Sequence, residues 1–183
     1  MTRIDESIPF IPLRFAVLTI SDTRSEKTDK SGNLLAAMIG EAGHQLVEQA
    51  LVTDDAKKIR KQVKKWIKNA KVDVVITTGG TGFAKRDVTP EAVMPLFDKE
   101  VEGFSVLFHM LSYATIGTST VQSRACGGMA GDTFIFCVPG SPGACKDAWN
   151  RILKYQFDNR HRPCSFIEVI PRLKGQPGAK TKP

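Results

Sequence analysis

The stretch Val72–Gly82, V-D-V-V-I-T-T-G-G-T-G, constrains this chain more than any other. An apolar, β-branched run without polar alternation predicts a strand buried on both faces, as in a parallel sheet. Gly79, Gly80 and Gly82 close it, and Phe83-Ala84-Lys85-Arg86-Asp87-Val88-Thr89-Pro90-Glu91-Ala92 follows. There Thr89 is expected to cap a helix, with Pro90 in its first position and Glu91 in its first turn. Glycines at the carboxyl end of a buried strand let a ligand approach the backbone and leave amide N–H groups free to hold an anion. Open α/β sheets take their ligands at this edge. Thr78–Asp87 is therefore expected to hold a phosphate-bearing ligand.

The rest of the chain repeats the strand–helix alternation. Arg14–Ile20 reads as a buried strand that runs into Ser21-Asp22-Thr23-Arg24. Asp29-Lys30-Ser31-Gly32 opens a helix with Leu34, Leu35, Met38, Ile39 and Ala42 at helical spacing, stopped by Gly43. His44–Val52 reads as a partly alternating strand ending at Thr53-Asp54-Asp55, where Asp55 caps a helix that buries Ile59, Val63, Trp66 and Ile67. A helix is expected from Pro90 to about Val101, broken at Glu102-Gly103, then a second one carrying Phe104, Leu107, Phe108 and Leu111. Ile116–Ser123 is hydroxyl-rich and reads as irregular or as a short turn of helix. Gly131-Asp132 marks a hairpin into the buried strand Thr133–Val138. Ser141 and Pro142 then start a helix with Cys145, Ala148, Trp149, Ile152 and Leu153, and Phe166–Ile170 reads as extended. This order predicts a three-layer α/β/α sandwich with a mostly parallel sheet and one hairpin with an antiparallel strand. Residues 1–12 form an arm whose Ile8, Phe10 and Ile11 should cover a neighbouring surface, with a second subunit as one candidate, 13–170 form the domain, and 171–183 a flexible basic tail.

Charge and composition narrow the function. The chain has 26 basic against 19 acidic residues, a net charge of +7 that favours an anionic partner. Part of the excess lies in the tail, at Arg172, Lys174, Lys180 and Lys182. The helix after Asp55 carries Lys57, Lys58, Arg60, Lys61, Lys64, Lys65 and Lys68. Such a stripe is a possible nucleic-acid footprint, but no aromatic residues interleave it, so it reads as a solvated face and no nucleic-acid partner is expected. Cys126, Cys137, Cys145 and Cys164 show no C-x-x-C spacing, which argues against a structural zinc site. No secretory signal opens the chain and no apolar run would cross a bilayer, so a cytoplasmic protein with reduced thiols and no membrane partner is expected. The sequences G-x-x-x-x-G-K-[S/T], G-x-G-x-x-G after the first strand, and G-x-S-x-G are absent, which excludes a P-loop ATPase, a dinucleotide-dependent dehydrogenase and a serine hydrolase of that type.

Four strand ends carry unusual loops: Ser21–Arg24, Thr53–Asp55, Thr78–Asp87 and Pro139–Gly143. Each has a plain structural reading. Asp54 could cap a helix, Asp87 could sit in a turn, the glycines could serve packing, and Ser141-Pro142 could simply begin a helix. In a parallel sheet, however, all four loops share one edge and can line one crevice.

T-x-S-D at 19–22, D-x-S-G at 29–32, T-G-G-T-G at 78–82, R-D-V-T-P-E-A at 86–92, S-R at 123–124 and P-G-S-P at 139–142 together resemble the molybdopterin-binding domain family of molybdenum cofactor biosynthesis. The resemblance runs from about Phe10 to about Ile170, on the branch near the molybdopterin adenylyltransferases. It implies a homotrimer or a dimer of trimers, possible contact with other molybdenum cofactor enzymes, and binding of the pterin dithiolene phosphate. Adenylyltransferase members join that phosphate to AMP from ATP with Mg²⁺ and release pyrophosphate; a non-catalytic molybdopterin carrier is the alternative. The implied catalytic and Mg²⁺-binding residues are Asp54 and Asp87. The implied substrate-binding residues are Ser21, Asp22, Ser31, Thr78, Gly79, Gly80, Thr81, Gly82, Arg86, Ser123, Arg124, Pro139, Gly140 and Ser141. The chemistry agrees: a phosphate monoester has its second pKa near 6 and needs no general base, so the two aspartates make better sense as magnesium ligands. The amides of Gly79–Gly82, the helix start near Ser31, and Lys85 and Arg86 would offset the substrates' charge.

Overall fold

The apolar runs pair side by side because only a neighbouring strand can satisfy the backbone of a segment buried on both faces. A computed structural model describes residues 3–170, and the expected tail 171–183 lies outside them. After a two-residue strand β1 (Arg3–Ile4), the chain forms β2 (Arg14–Ile20), α1 (Lys30–Glu41), β3 (Gln45–Val52), α2 (Ala56–Ile67), β4 (Val74–Thr78) and α3 (Thr89–Val93). It continues through β5 (Lys99–Glu100), α4 (Glu102–Ile116), β6 (Cys126–Ala130), β7 (Thr133–Val138), α5 (Pro142–Ala148), a π-turn at Trp149–Leu153, α6 (Lys154–Gln156) and β8 (His161–Arg162). Among the described residues the main sheet has six strands in the order β3-β2-β4-β7-β6-β5. The first four are parallel, β6 pairs antiparallel with β7, and β5 pairs antiparallel with β6.

Alternation along each strand splits the core into two layers, as a pleated sheet covered on both sides requires. Phe15 and Val17 of β2 face a cluster with Leu35, Ile39, Phe104, Phe136, Trp149 and Phe157, whereas Ala16, Leu18 and Ile20 face Ile59, Val63, Trp66, Ala92 and Val93. The expected three-layer sandwich with an antiparallel hairpin is the observed fold. Asp55 caps α2 by accepting from the Lys57 and Lys58 amides, and Ser141 caps α5 from Ala144.

Several local expectations are overtaken by specific contacts. Val88, not Thr89, precedes α3; Thr89 is already helical and its hydroxyl donates to the Gly79 carbonyl at 2.8 Å. The helix expected to reach Val101 ends at Val93, passing into a 3₁₀ turn at Met94–Leu96 and then β5. Pro95 lacks an N–H and its ring would clash with the Glu91 carbonyl, while Arg60 takes the Glu91 and Ala92 carbonyls at 3.1 and 3.2 Å. Glu102-Gly103 starts α4 instead of breaking a helix, and Phe166–Val169 is a 3₁₀ turn, not an extended run. Leu46 and Val47 are exposed because β3 is an edge strand. The arm covers its own body: the Ile11 amide donates to Asn159 Oδ1 at 2.9 Å, and Phe10 lies 5.0 Å from the His44 ring.

His44 bears on stability. Its Nδ1 accepts from the Leu13 amide at 3.1 Å and its ring lies 5.0 Å from Phe15. Burial pushes its pKa down from 6.5 to about 4, against a smaller opposing effect of Asp158. The unfolded chain therefore binds the proton first as pH falls. The contribution of neutral His44 is fully present above pH 6.5 and is lost as pH drops through 6.5 toward 4, amounting to about 3 kcal/mol at the low end. Urea unfolding between pH 7.5 and 4 should show this loss, and His44→Gln should flatten the profile; equal pH dependence in both proteins contradicts the assignment.

Candidate active site

The four strand ends at Ile20, Val52, Thr78 and Val138 lie on one edge, so the loops expected to converge do converge. β4 turns away at once because Gly79 and Gly80 take φ of +104° and +64°. A Cβ on Gly79 would overlap the Ile20 carbonyl, and one on Gly80 would overlap Thr89 Oγ1 and reach Asp54 Oδ1 at 3.0 Å. The loop thus runs in the space that side chains would otherwise fill.

Arg124 holds the loop from below. Its backbone amide donates to Thr81 O at 3.1 Å, Nε to Gly82 O at 2.9 Å and Nη2 to Asp87 O at 2.7 Å, while Nη1 pairs with Glu91. Its guanidinium lies 5.4 Å from the Phe83 ring centroid. These bonds take the loop's carbonyls. The Asp87 carboxylate folds back, accepting from the Ala84 amide at 2.8 Å, and Oδ2 lies 2.7 Å from where a Cβ on Gly82 would stand.

Three aspartates gather beside this loop. Arg86 pairs with Asp22, Nε to Oδ2 at 2.5 Å and Nη2 to Oδ1 at 2.8 Å, and these bonds hold Asp22 below the usual carboxylate range. Asp22 Oδ1 also accepts the Asp54 amide at 3.2 Å. Asp54 titrates above its ordinary value: burial comes first, then the negative charges of Asp22 and Asp87, with Arg86 opposing. Asp54 and Asp87 therefore share one electrostatic site next to Gly80.

The fourth loop is tied to the first and third, and to the start of α1. Gly140 O accepts from Ser31 Oγ and Arg24 Nη2, both at 2.8 Å. Thr78 Oγ1 donates to Pro139 O at 3.1 Å, and a Cβ on Gly140 would stand 3.2 Å from Gly79 Cα. Ser21 Oγ accepts the Thr23 and Arg24 amides at 3.2 Å each, which orders the turn that presents Arg24.

Between these loops and α4 lies a cavity of about 720 Å³. Of the residues implied by sequence, Gly79, Gly80, Thr81, Gly82, Asp87, Ser123, Pro139, Gly140 and Ser141 line it. Thr78, Ser31 and Arg124 brace the loops behind the wall, and Ser21, Asp22, Asp54 and Arg86 flank it through the bonds just described. Arg24, from the first of the four loops, lines it too, and sequence reasoning missed the opposite wall of Ser112, Thr115, Ser119, Thr120 and Gln122. The signal was present in the hydroxyls of Ser112, Thr115 and Ser119, and the segment read as irregular or a short helical turn is a 3₁₀ turn at Gly117–Gln122. Thr120 Oγ1 and Ser123 Oγ are buried without a hydrogen-bond partner among the described residues. Buried polar atoms of that kind are costly unless something satisfies them. Among the described residues no group of three or more His, Cys, Asp or Glu could by itself hold a metal ion, and no helix is long and apolar enough to cross a membrane.

A family model described as a probable molybdopterin binding domain matches residues 16–159. The chain belongs to this family. Its relative in Escherichia coli (strain K12), named Molybdenum cofactor biosynthesis protein B, is 51% identical over 168 residues, which cover 92% of this chain and 97% of that protein. The protein of the same name from Bacillus subtilis (strain 168) is 43% identical, covering 77% and 84%. Among solved structures, a Molybdenum cofactor biosynthesis protein B superposes with a TM-score of 0.77 at 48% identity, covering 79% of this chain and 90% of that one. A tungsten cofactor synthesizing protein MoaB from Pyrococcus furiosus gives 0.70 at 36% identity, covering 77% and 90%. The glycine loop, the aspartate cluster and the Arg124 brace described above all lie inside the segment that matches the family.

The brace yields a prediction. Arg124→Lys keeps the charge but loses the planar fork, and should lower stability by about 1–3 kcal/mol in denaturant unfolding. An unchanged midpoint would mean the loop carbonyls are held by other groups.

Proposed function

We propose that the protein acts in molybdenum cofactor biosynthesis: it binds molybdopterin in the cavity beside Gly79–Gly82 and adenylylates its terminal phosphate with MgATP, releasing pyrophosphate. The observation that carries this reading is the crowding of Asp54 by Asp22 and Asp87 next to a glycine loop. A structural cap has no need of two further carboxylates, whereas a site for a cation shared with phosphates does. The family match and the names of the relatives supply the pathway and the pterin.

The loop's carbonyls are committed to Arg124 and Thr89, which leaves N–H dipoles to face an incoming anion. Arg24 lines the cavity and adds positive charge at its rim. Thr120 and Ser123 line the cavity and bury hydroxyls that have no partner among the described residues, which a ligand's polar atoms would satisfy once bound. The pterin phosphate is already largely ionised at neutral pH. One of its oxygens attacks the α-phosphorus of ATP, the bond from that phosphorus to the bridging oxygen breaks, and pyrophosphate leaves with the electron pair, so no general base is required. Asp54 and Asp87 would hold Mg²⁺, the remaining coordination coming from phosphate oxygens and water, and the ion would neutralise charge building on the phosphates. The reading includes self-association as a trimer or dimer of trimers, supported by the exposed apolar row Val106, Met110 and Tyr113 on α4. It places the protein in the cytoplasm.

Purified protein with molybdopterin and MgATP should release pyrophosphate. Pterin binding with no pyrophosphate would instead establish a carrier. Asp87→Asn should lower turnover by about a hundredfold or more, with pterin affinity changed by less than about tenfold; full turnover removes Asp87 from the chemistry. Thr120→Val should weaken pterin binding by about 1 kcal/mol in calorimetric titration, and an unchanged affinity would show that the hydroxyl faces no ligand atom.

A further inference from the structure

Outside this cavity, two cysteines face one another across the hairpin. Cys126 of β6 and Cys137 of β7 are directly opposed in antiparallel register. Opposed residues in such a ladder have Cα atoms about 4.5–5.5 Å apart, within the span a disulfide bridges. The two thiols differ in access. Cys137 is fully buried, whereas Cys126 is half-buried and lines a second cavity of about 660 Å³ together with Glu91, His109, Arg124 and Gly127. Cys145, by contrast, has Thr78 Oγ1 as a neighbour at 3.3 Å, and Cys164 is exposed.

We propose that Cys126 and Cys137 are a redox-active dithiol: Cys126 meets a hydroperoxide through the second cavity and Cys137 closes the disulfide. The electrostatics point the same way. A hydrogen bond from the Cys137 thiol, helped by Arg124, draws the Cys126 thiol below its usual value against burial, Glu100 and Glu91. Cys137 is held protonated, by donating to Cys126 and by burial. A low-pKa accessible thiol beside a resolving one is the arrangement that peroxide oxidation selects. The Cys126 thiolate attacks one peroxide oxygen, the O–O bond breaks, and the departing alkoxide or hydroxide takes a proton from solvent. The resulting sulfenic acid is attacked by Cys137 sulfur, the S–O bond breaks, and water leaves with the Cys137 proton. Two thiols lose two electrons and the peroxide gains them.

The bond would tie together two strands that serve the candidate site. Cys126 lies two residues after Arg124, which holds the glycine loop, and Cys137 two residues before Pro139, where the fourth loop begins. The proposal does not depend on adenylyl transfer. It predicts a reversible thiol-modification site.

The test uses the full chain, equimolar hydrogen peroxide, alkylation in denaturant, and peptide mapping with and without dithiothreitol. The expected result is a linked Cys126–Cys137 peptide that dithiothreitol restores to two alkylated thiols. In Cys137→Ala, oxidation should stop at a Cys126 sulfenic acid that dimedone traps; in Cys126→Ala the linked peptide should disappear and Cys137 should stay reduced. The wild-type map decides even where a variant fails to fold. Cys126 and Cys137 both remaining alkylable while Cys164 reacts, or Cys126 running on to the sulfinic acid with Cys137 present, overturns the proposal.

Discussion

The fork of hydrogen bonds from Arg124 to the glycine loop is the contact on which the site depends. Gly79–Gly82 is a stretch of backbone with left-handed residues and almost no side chain to anchor it. Left to itself it would sample many conformations, since glycine loses the most conformational freedom on folding. One guanidinium takes the carbonyls of Gly82 and Asp87 while its own main-chain N–H takes Thr81. This arrangement fixes the loop's direction as well as its position. With carbonyls turned toward Arg124 and Thr89, the loop becomes a one-sided donor surface, the form an anion site requires.

Charge is balanced around that surface. Arg86 neutralises Asp22 on the rim, which leaves Asp54 as the carboxylate least reconciled to its surroundings. Its raised pKa is a local cost whose causes are named side chains, and perturbed groups in a crevice are where functional chemistry concentrates. The hydroxyl pair on the far wall shows the same tension in neutral form, since Thr120 and Ser123 bury oxygens that the protein itself does not satisfy. The candidate site therefore sets a donor loop and a hydroxyl-rich wall around one cavity of about 720 Å³, which Asp87 lines and which Asp22 and Asp54 flank.

The sheet and the loop edge were legible because they rest on short-range rules. Buried apolar runs placed β2 and β7 to the residue and β4 to within two residues at its start, and glycines and Ser-Pro marked their ends. What remained hidden depended on contacts between distant residues. Pro95 marks the early end of α3 in the sequence itself, whereas nothing nearby reveals that Arg60 takes the carbonyls at Glu91 and Ala92. Arg124 reads from sequence as a substrate contact; only the fold shows that its fork is spent on the loop. The hydroxyl wall escaped notice because a helix rich in Ser and Thr and a polar loop have similar composition.

The central claim is that the loop amides and the Asp54–Asp87 pair form one site that holds nucleotide phosphates through a shared cation. Calorimetric titration of ATP into the protein with Mg²⁺, and again with the metal chelated, tests it most directly. The account predicts saturable binding that weakens by about tenfold or more when Mg²⁺ is removed, and that loses this metal dependence in Asp54→Asn. Equal affinity with and without the metal in the unmodified protein would contradict it, leaving the aspartates as fold residues and the loop as a simple anion pocket.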